Sequence, residues 1–142
     1  MRNRTNARRA ILYLHGGGFF MGGGEAAVVA AVPLAGQSRC KVYSLDYRMA
    51  PDHVFPAALD DVMTVLKATQ KTTPAKNIGV LGTSAGGALV LSMGHRAKKD
   101  GAPMPGAIVS GTPMALRKRC TSSGAASAPA VGFGMYAISV WV

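Results

Sequence analysis

The sequence predicts an α/β fold in which helices cover both faces of a mostly parallel β-sheet. Short segments that are apolar throughout recur along the 142 residues, each bounded by charge, glycine or proline. Segments in which apolar residues repeat at helical spacing alternate with them. Strands that are apolar on both faces and alternate with helices are typical of a parallel sheet.

The first half of the chain supplies two strands and the first helix. AILYL, residues 10–14, predicts a buried strand, and the glycine-rich HGGGFFMGGG after it predicts a loop. Residues 25–38 are rich in Ala and Val and predict a helix that Pro33 interrupts or ends. KVYSLDY, residues 41–47, predicts the second strand, and the segment RMAPDHVFP after it predicts a loop because it contains two prolines.

The second half continues the alternation. A second helix is predicted with Asp60 and Asp61 in its first turn, where acids suit the helix dipole. The apolar face of this helix repeats at i, i+3, i+4 and i+7 and consists of Leu59, Val62, Met63 and Leu66. IGVLG, residues 78–82, predicts a strand, residues 85–98 predict a helix, and AIVSG, residues 107–111, predicts a fourth strand. The buried side of the third helix is expected to contain Leu89, Val90 and Met93.

Composition and charge narrow the class of function. Hydrophobic residues make up 49% of the chain and charged residues 15%, which is typical of a globular domain. The net charge is +10, but the basic residues are scattered without interleaved aromatic residues, so we expect no nucleic-acid partner. No segment approaches the roughly 18 apolar residues of a membrane span, so we expect a cytoplasmic protein without a membrane partner. Cys40 and Cys120 are far apart in sequence and are expected to be free thiols.

A serine lies between two glycines in GTSAG, residues 82–86, after an apolar strand and before a helical pattern. A serine on such a sharp turn has strained dihedral angles, and glycines two residues away on either side avoid a collision. The turn would place Ser84 at a helix N-terminus, where the Ala85 N–H and the helix dipole face an oxyanion. The motif alone is weak, but in this context it makes Ser84 the candidate nucleophile.

A glycine loop, HGGGF at residues 15–19, follows the first predicted strand. Its exposed backbone N–H groups could bind an anion. A flexible loop and a phosphate-binding loop are the alternatives, and the second lacks both the G-K-[ST] ending and a G-x-G-x-x-G that opens a helix. An oxyanion hole fits better, because both motifs follow strands of one sheet.

Three segments in this order, YLHGGGFFMGG, SLDYRMAPDHVFPAALDD and GTSAGG, resemble the hormone-sensitive lipase family of α/β-hydrolases. The resemblance covers about residues 8–116. It implies a partial α/β-hydrolase fold that lacks the cap and the C-terminal part. Residues 1–116 would form the core fragment, and residues 117–142 a tail of unassigned structure.

The resemblance also implies roles for individual residues. Ser84 matches the nucleophile. The residues that match the N–H donors of the oxyanion hole are Gly17, Gly18 and Ala85. The residues that match the loop support are His15 and Gly16, and His15 would act by hydrogen bonding rather than by proton transfer. Positions that shape the scaffold near the site are matched by Asp46, Arg48, Pro51 and Pro56.

The family's catalytic acid and histidine follow the serine, and after Ser84 this chain holds only His95 and Asp100 as candidates. His95 lies eleven residues along the predicted helix, roughly 16 Å from the serine, whereas a general base must come within ~3 Å or act through one water. His53, in the loop before the second helix, is the remaining histidine considered. We expect neither histidine to be the base.

These observations predict a serine carboxylesterase that hydrolyses short-chain carboxylic esters through an acyl-enzyme on Ser84. Neither a metal nor an organic cofactor is expected, and the partner would be a small-molecule ester. The alternative is a catalytically impaired fragment that binds ligand or takes its base from a partner chain. The exposed sheet edges of a shortened fold favour a homo-oligomer.

Overall fold

A computed structural model describes residues 6–114 and contains an open, four-stranded parallel sheet. The strands are β1 Asn6–Leu14, β2 Cys40–Leu45, β3 Ile78–Thr83 and β4 Ala107–Gly111, in the spatial order β2-β1-β3-β4. The helices are α1 Glu25–Ser38, α2 Ala57–Gln70 and α3 Ala85–Lys99, with a short 3-10 helix, Ala75–Asn77, before β3. The predicted α/β fold with a parallel sheet is confirmed, while the predicted tail at 117–142 lies outside the described residues.

Helices cover both faces of the sheet. Helices α2 and α3 lie on one face, where they share a buried apolar cluster with Leu12 of β1 and Val80 of β3. The residues predicted for the apolar faces of α2 and α3 are all buried: Leu59, Val62, Met63, Leu66, Leu89, Val90 and Met93. Helix α1 lies on the opposite face, beside Val42 and Ser44 of β2. Within residues 6–114, none of the helices has both the length and the apolar character needed to cross a membrane.

Two boundaries differ from the sequence prediction for identifiable reasons. Helix α1 continues through Pro33 to Ser38 instead of stopping there. Proline at this position removes the hydrogen bond to the carbonyl of Val29, but both residues are exposed and water can replace the lost donor. Strand β2 ends at Leu45, because Tyr47 leaves the strand direction and packs its ring on His15.

Because β1 and β3 are parallel, their carboxyl ends lie side by side at one edge of the sheet. The register pairs Leu14 with Leu45 on one side and with Gly82 on the other. The glycine loop leaves β1 one residue after Leu14, and Ser84 follows the end of β3. The two sequence motifs therefore leave neighbouring strands at the same edge.

The buried cluster predicts that truncation of two leucines has very different effects on the free energy of unfolding. Leu66 is 1% exposed between α2 and the sheet, whereas Leu91 is 52% exposed on α3. We expect Leu66→Ala to lower the free energy of unfolding by about 2–5 kcal/mol, because it leaves a cavity. The matched variant Leu91→Ala should change it by no more than about 0.5 kcal/mol. Urea denaturation of both variants checks this, and equal losses would contradict the described packing.

Candidate active site

The glycine loop and the serine turn are in direct contact. Gly16 lies so close to the turn that a β-carbon on it would be 3.2 Å from the Thr83 carbonyl oxygen and 3.3 Å from Ser84 Cβ. This proximity follows from the pairing of β1 with β3. The structure thus brings together the two segments from which the sequence predicted a nucleophile and an oxyanion hole.

Ser84 has a strained backbone and a hydroxyl without a hydrogen-bond partner among the described residues. Its φ of 53° and ψ of −117° lie in a region that residues with a side chain rarely adopt. The conformation is held from β4, because the Ser84 N–H donates to the Gly111 carbonyl at 3.0 Å. Ser84 occupies the N-cap of α3 without a side-chain capping bond, and its hydroxyl accepts and donates no hydrogen bond within residues 6–114. The side chain is half-buried at the helix N-terminus.

Two glycines allow the serine turn to sit this close to the sheet. A β-carbon on Gly82 would lie 2.5 Å from the carbonyl carbon of Gly86. A β-carbon on Gly86 would collide with the Leu14 carbonyl oxygen and lie 2.6 Å from that of His15. The opening turn of α3 therefore packs backbone against backbone on the end of β1.

The glycine loop is a compact turn with unused donors. Gly17, Gly18 and Phe19 have φ values of 119°, 64° and 70° in succession. The carbonyl of Gly17 accepts hydrogen bonds from the N–H groups of Phe20 and Met21, at 3.2 and 3.1 Å. The N–H groups of Gly17 and Gly18 donate to no acceptor in the described part of the chain.

A third donor belongs to the start of α3. Ala85 is the first residue of the helix, so its N–H is one of the four that have no acceptor within the helix. Among residues 6–114, the N–H groups of Gly17, Gly18 and Ala85 thus have no acceptor, and they belong to the two segments that meet at Gly16. Such a set can stabilise a negatively charged oxygen.

His15 anchors the base of the glycine loop. The side chain is 2% exposed, and its Nδ1 lies 2.7 Å from the Gly16 carbonyl oxygen. Because a carbonyl only accepts, Nδ1 carries a proton and donates it to this carbonyl. Nε2 is buried without a hydrogen-bond partner among the described residues.

Tyr47 holds His15 from the other side and was missed by the sequence reasoning. The rings of Tyr47 and His15 stack with centroids 4.2 Å apart and planes 5° apart. The Tyr47 hydroxyl donates to the His15 carbonyl oxygen at 2.7 Å. Burial raises the pKa of Tyr47 to about 12, with a further contribution from Tyr13, so the hydroxyl remains a donor at neutral pH. No local pattern signals this contact, because 32 residues separate its partners.

The segment after β2 braces the loop at two further points. The Asp46 carboxylate accepts from the Gly24 N–H at 3.1 Å, and the Ala50 N–H donates to the Phe19 carbonyl at 2.8 Å. Pro51 and Pro56, two predicted scaffold positions, are exposed and follow cis peptide bonds.

Asp61 was predicted to lie with Asp60 in the first turn of α2, but it lies just beyond that turn and pairs with Arg48. Asp60 lies in the first turn of α2 as expected, but Asp61 accepts from Arg48, both from its guanidinium at 2.8 Å and from its backbone N–H at 2.9 Å. The hydrogen bond from Arg48 lowers the pKa of the Asp61 carboxyl. This pair fastens the segment after β2 to α2, a long-range contact that helix spacing alone does not reveal.

None of the candidate bases hydrogen-bonds to Ser84 within residues 6–114. His95 is exposed on α3, as predicted, and His53 is exposed in the loop before α2. Asp100 forms an ion pair with Arg96 at 3.1 Å. No histidine or carboxylate hydrogen-bonds to the Ser84 hydroxyl within residues 6–114. In the same range, no three His, Cys, Asp or Glu side chains come together as a metal site would require.

Comparison with known proteins identifies the architecture. A family whose description is alpha/beta hydrolase fold matches residues 11–135. Versiconal hemiacetal acetate esterase stcI of Emericella nidulans is 37% identical over 90 residues, 63% of this chain and 32% of that protein. Carboxylesterase NlhH of Mycobacterium tuberculosis is 35% identical over 98 residues, 66% of this chain and 31% of that protein. The chain thus spans about a third of the length of these curated relatives.

Solved structures give the same result. The hormone-sensitive lipase homologue EstE7, from a metagenome library, is 40% identical with a TM-score of 0.73. The match covers 79% of this chain and 40% of EstE7. Esterase E25 is 36% identical with a TM-score of 0.74, covering 79% of this chain and 34% of that one.

The contact between α3 and the end of β1 predicts that alanine substitutions at two helical glycines change the free energy of unfolding differently. Gly86→Ala places a methyl group against the carbonyl oxygens of Leu14 and His15, so we expect a loss of about 2 kcal/mol or more in the free energy of unfolding. Gly36 has open space around its Cα, and Gly36→Ala should be neutral or stabilise by up to about 1 kcal/mol. Chemical denaturation of both variants measures the contrast, and a tolerated Gly86→Ala would disprove the close approach.

The hydroxyl of Tyr47 predicts a pH-dependent difference between wild type and Tyr47→Phe. The substitution keeps the ring on His15 but leaves the buried carbonyl of His15 without its donor, at a cost of about 1–3 kcal/mol at neutral pH. Because the folded-state pKa is raised from 10.0 to about 12, the stability linked to this hydroxyl is complete below pH 10 and disappears as the pH rises toward 12. Denaturation at several pH values should therefore show the two proteins converging above pH 10, and a constant gap would contradict this role.

Proposed function

The chain belongs to the hormone-sensitive-lipase-like family of the α/β-hydrolase fold, and from this premise we propose that it is a serine carboxylesterase. The proposed nucleophile is Ser84, and the proposed substrates are short-chain carboxylic esters. The observation that carries the proposal is the contact of the glycine loop with the serine turn. Within residues 6–114, three N–H donors of these two segments and the Ser84 hydroxyl have no hydrogen-bond partner. The printed names of the relatives, esterase and carboxylesterase, support the same reaction class.

The proposed first half-reaction forms an acyl-enzyme. Ser84 Oγ attacks the ester carbonyl carbon, the carbonyl π electrons move to oxygen, and a base takes the hydroxyl proton. The oxyanion receives hydrogen bonds from Gly17, Gly18 and Ala85, and the N-terminus of α3 adds a favourable dipole. As the tetrahedral intermediate collapses, the C–O bond to the alcohol breaks and the alcohol leaves with a proton.

The second half-reaction releases the acid. Water attacks the acyl-enzyme carbonyl carbon and gives a proton to the base, and the same donors hold the second oxyanion. The bond to Ser84 Oγ then breaks, and Oγ takes the proton back from the base as the acid leaves. The protein contributes a preorganised set of donors, because His15 and Tyr47 fix the loop before substrate arrives. Acyl transfer of this kind requires no organic cofactor.

A specific observation also supports the alternative function. Neither His53 nor His95 hydrogen-bonds to Ser84 in the described part of the chain. With a nucleophile and an oxyanion hole but no base, turnover would fall to weak residual activity. The alternative is therefore a ligand-binding or singly acylating domain, or one whose base comes from a partner chain.

The remaining expectations are kept as proposals. A homo-oligomer is supported by the outer edges of β2 and β4, which have no strand partner within residues 6–114. A cytoplasmic location is supported by the free, half-buried thiol of Cys40, while Cys120 lies outside the described residues.

Hydrolysis of p-nitrophenyl acetate and butyrate tests the role of Ser84. We expect Ser84→Ala to lower kcat/KM by about 10⁴-fold or more, because it removes the nucleophile. The exposed Ser92 on α3 offers a matched control, and Ser92→Ala should retain wild-type rates. Equal rates in wild type and Ser84→Ala would reject the proposal.

The same assay separates the two functions. Steady release of p-nitrophenol supports the esterase. A single burst of about one equivalent, lost in Ser84→Ala, supports acylation without an effective base.

A further inference from the structure

Folding separates the charges of this chain onto opposite edges of the sheet. The edge where the strands end, which holds Ser84, carries five of the six acidic residues: Glu25, Asp46, Asp52, Asp60 and Asp61. Within residues 6–114, two of these five carboxylates form ion pairs: Asp61 with Arg48 at 2.8 Å, and Asp60 with Arg96 of α3 at 3.8 Å. The other three form none in that range. The site edge is therefore acidic although the chain has a net charge of +10.

The opposite edge, where strands begin and helices end, is strongly basic. Seven exposed cations lie there, which we call the basic edge: Arg9, Arg39, Lys41, Lys71, Lys76, Lys98 and Lys99. The register shows their proximity, because Ala10 of β1 pairs with both Lys41 of β2 and Ile78 of β3. Neighbouring strands are about 4.8 Å apart, so cations scattered in sequence lie within a short distance of one another.

These seven cations are not neutralised by neighbouring carboxylates. Asp100 is the one acid at this edge among residues 6–114, and it is already paired with Arg96 at 3.1 Å. None of the seven forms an ion pair in the described part of the chain. The cations at the ends of the helices, including Lys76 in the short 3-10 helix, complement the helix dipoles. Arg9 and Lys41 lie on strands β1 and β2, where no dipole accounts for them.

An apolar element lies within the same edge. The loop between α3 and β4 contains Pro103, which is exposed, and Met104, which is 41% exposed. This loop begins directly after Lys98 and Lys99. Cations that surround exposed apolar side chains are typical of surfaces that bind at a membrane interface.

We propose that the basic edge docks on an anionic lipid bilayer, with the edge that holds Ser84 turned toward the aqueous phase. Attraction at one edge and repulsion at the acidic edge both favour this orientation. The proposed cytoplasmic location fits, because the cytoplasmic leaflet is the anionic one. This departs from the sequence-based expectation of no membrane partner, which rested on the lack of a segment long and apolar enough to span a bilayer.

A lipid surface fits the basic edge better than a nucleic acid. The turns at 71–77 and 98–106 contain no aromatic side chain that could stack on bases. Pro103 and Met104 would make no favourable contact with a phosphate backbone, whereas their apolar side chains can enter the headgroup region of a bilayer. Duplex DNA is kept as a competing outcome in the test.

Co-sedimentation with lipid vesicles tests the proposal on the full chain. The probes are vesicles of phosphatidylcholine alone and vesicles containing about 30% phosphatidylserine, in low salt and in about 0.5 M NaCl. We expect binding only to the anionic vesicles and release at high salt. Because each lysine near the surface contributes about 1 kcal/mol, or about fivefold in affinity, the variant Lys41→Gln/Lys76→Gln/Lys98→Gln should bind roughly 100-fold more weakly.

A matched variant separates the basic edge from net charge. Ala26→Glu/Val54→Glu/Leu91→Glu removes the same three units of charge at exposed positions away from the basic edge and should bind within about threefold of wild type. A second edge variant, Arg39→Gln/Lys71→Gln/Lys99→Gln, should repeat the loss seen in the first.

Three results would overturn the proposal. The first is equal binding to neutral and anionic vesicles, or to neither. The second is an equal loss of binding in the edge variants and the matched variant, which would assign the effect to net charge. The third is binding to a 20-base-pair DNA duplex without binding to anionic vesicles. None of these measurements uses esterase activity, so a failure of the proposed function would not affect the result.

Discussion

The close approach of Gly86 to the carbonyl oxygens of Leu14 and His15 is the contact on which the site depends. It packs the first turn of α3 against the end of β1 with no side chain between them. As a consequence, the glycine loop that leaves β1 touches the serine turn that leaves β3. A methyl group at this position would push the two segments apart, and the donors of Gly17 and Gly18 would move away from Ser84.

The contacts that hold the glycine loop in place around this point are mostly polar, and their geometry fixes orientation as well as distance. Tyr47 fixes His15 by a stacked ring and a hydrogen bond, Asp46 holds the far end of the loop, and Arg48 ties the same segment to α2 through Asp61. The apolar cluster lies below, between the sheet and the pair α2 and α3. Burial of the apolar cluster stabilises the fold but does not fix the orientation of particular groups. The polar contacts set the position of individual backbone donors.

Sequence reasoning found the elements and the two motifs because their signals are local. Helical spacing identified the buried face of α2, and the apolar run at 107–111 identified β4 with its observed bounds. Pro33 was expected to interrupt or end α1, but the helix continues to Ser38. A proline disrupts a helix less where the carbonyl that loses its hydrogen bond is exposed to water. Tyr47 and the pair of Arg48 with Asp61 were out of reach, because their partners are brought together only by the path of the chain after β2. The segregation of charge was hidden for the same reason, since it follows from strand direction.

The acidic residues at the edge that holds Ser84 have a consequence for the proposed ester hydrolysis. A neutral ester approaches this edge without electrostatic penalty, but cleavage turns its acyl half into an anion. The carboxylates of this edge that form no ion pair within residues 6–114, those of Glu25, Asp46 and Asp52, would then repel the newly formed product. The charge pattern would thus favour departure of the acid over its rebinding and limit inhibition by accumulated product.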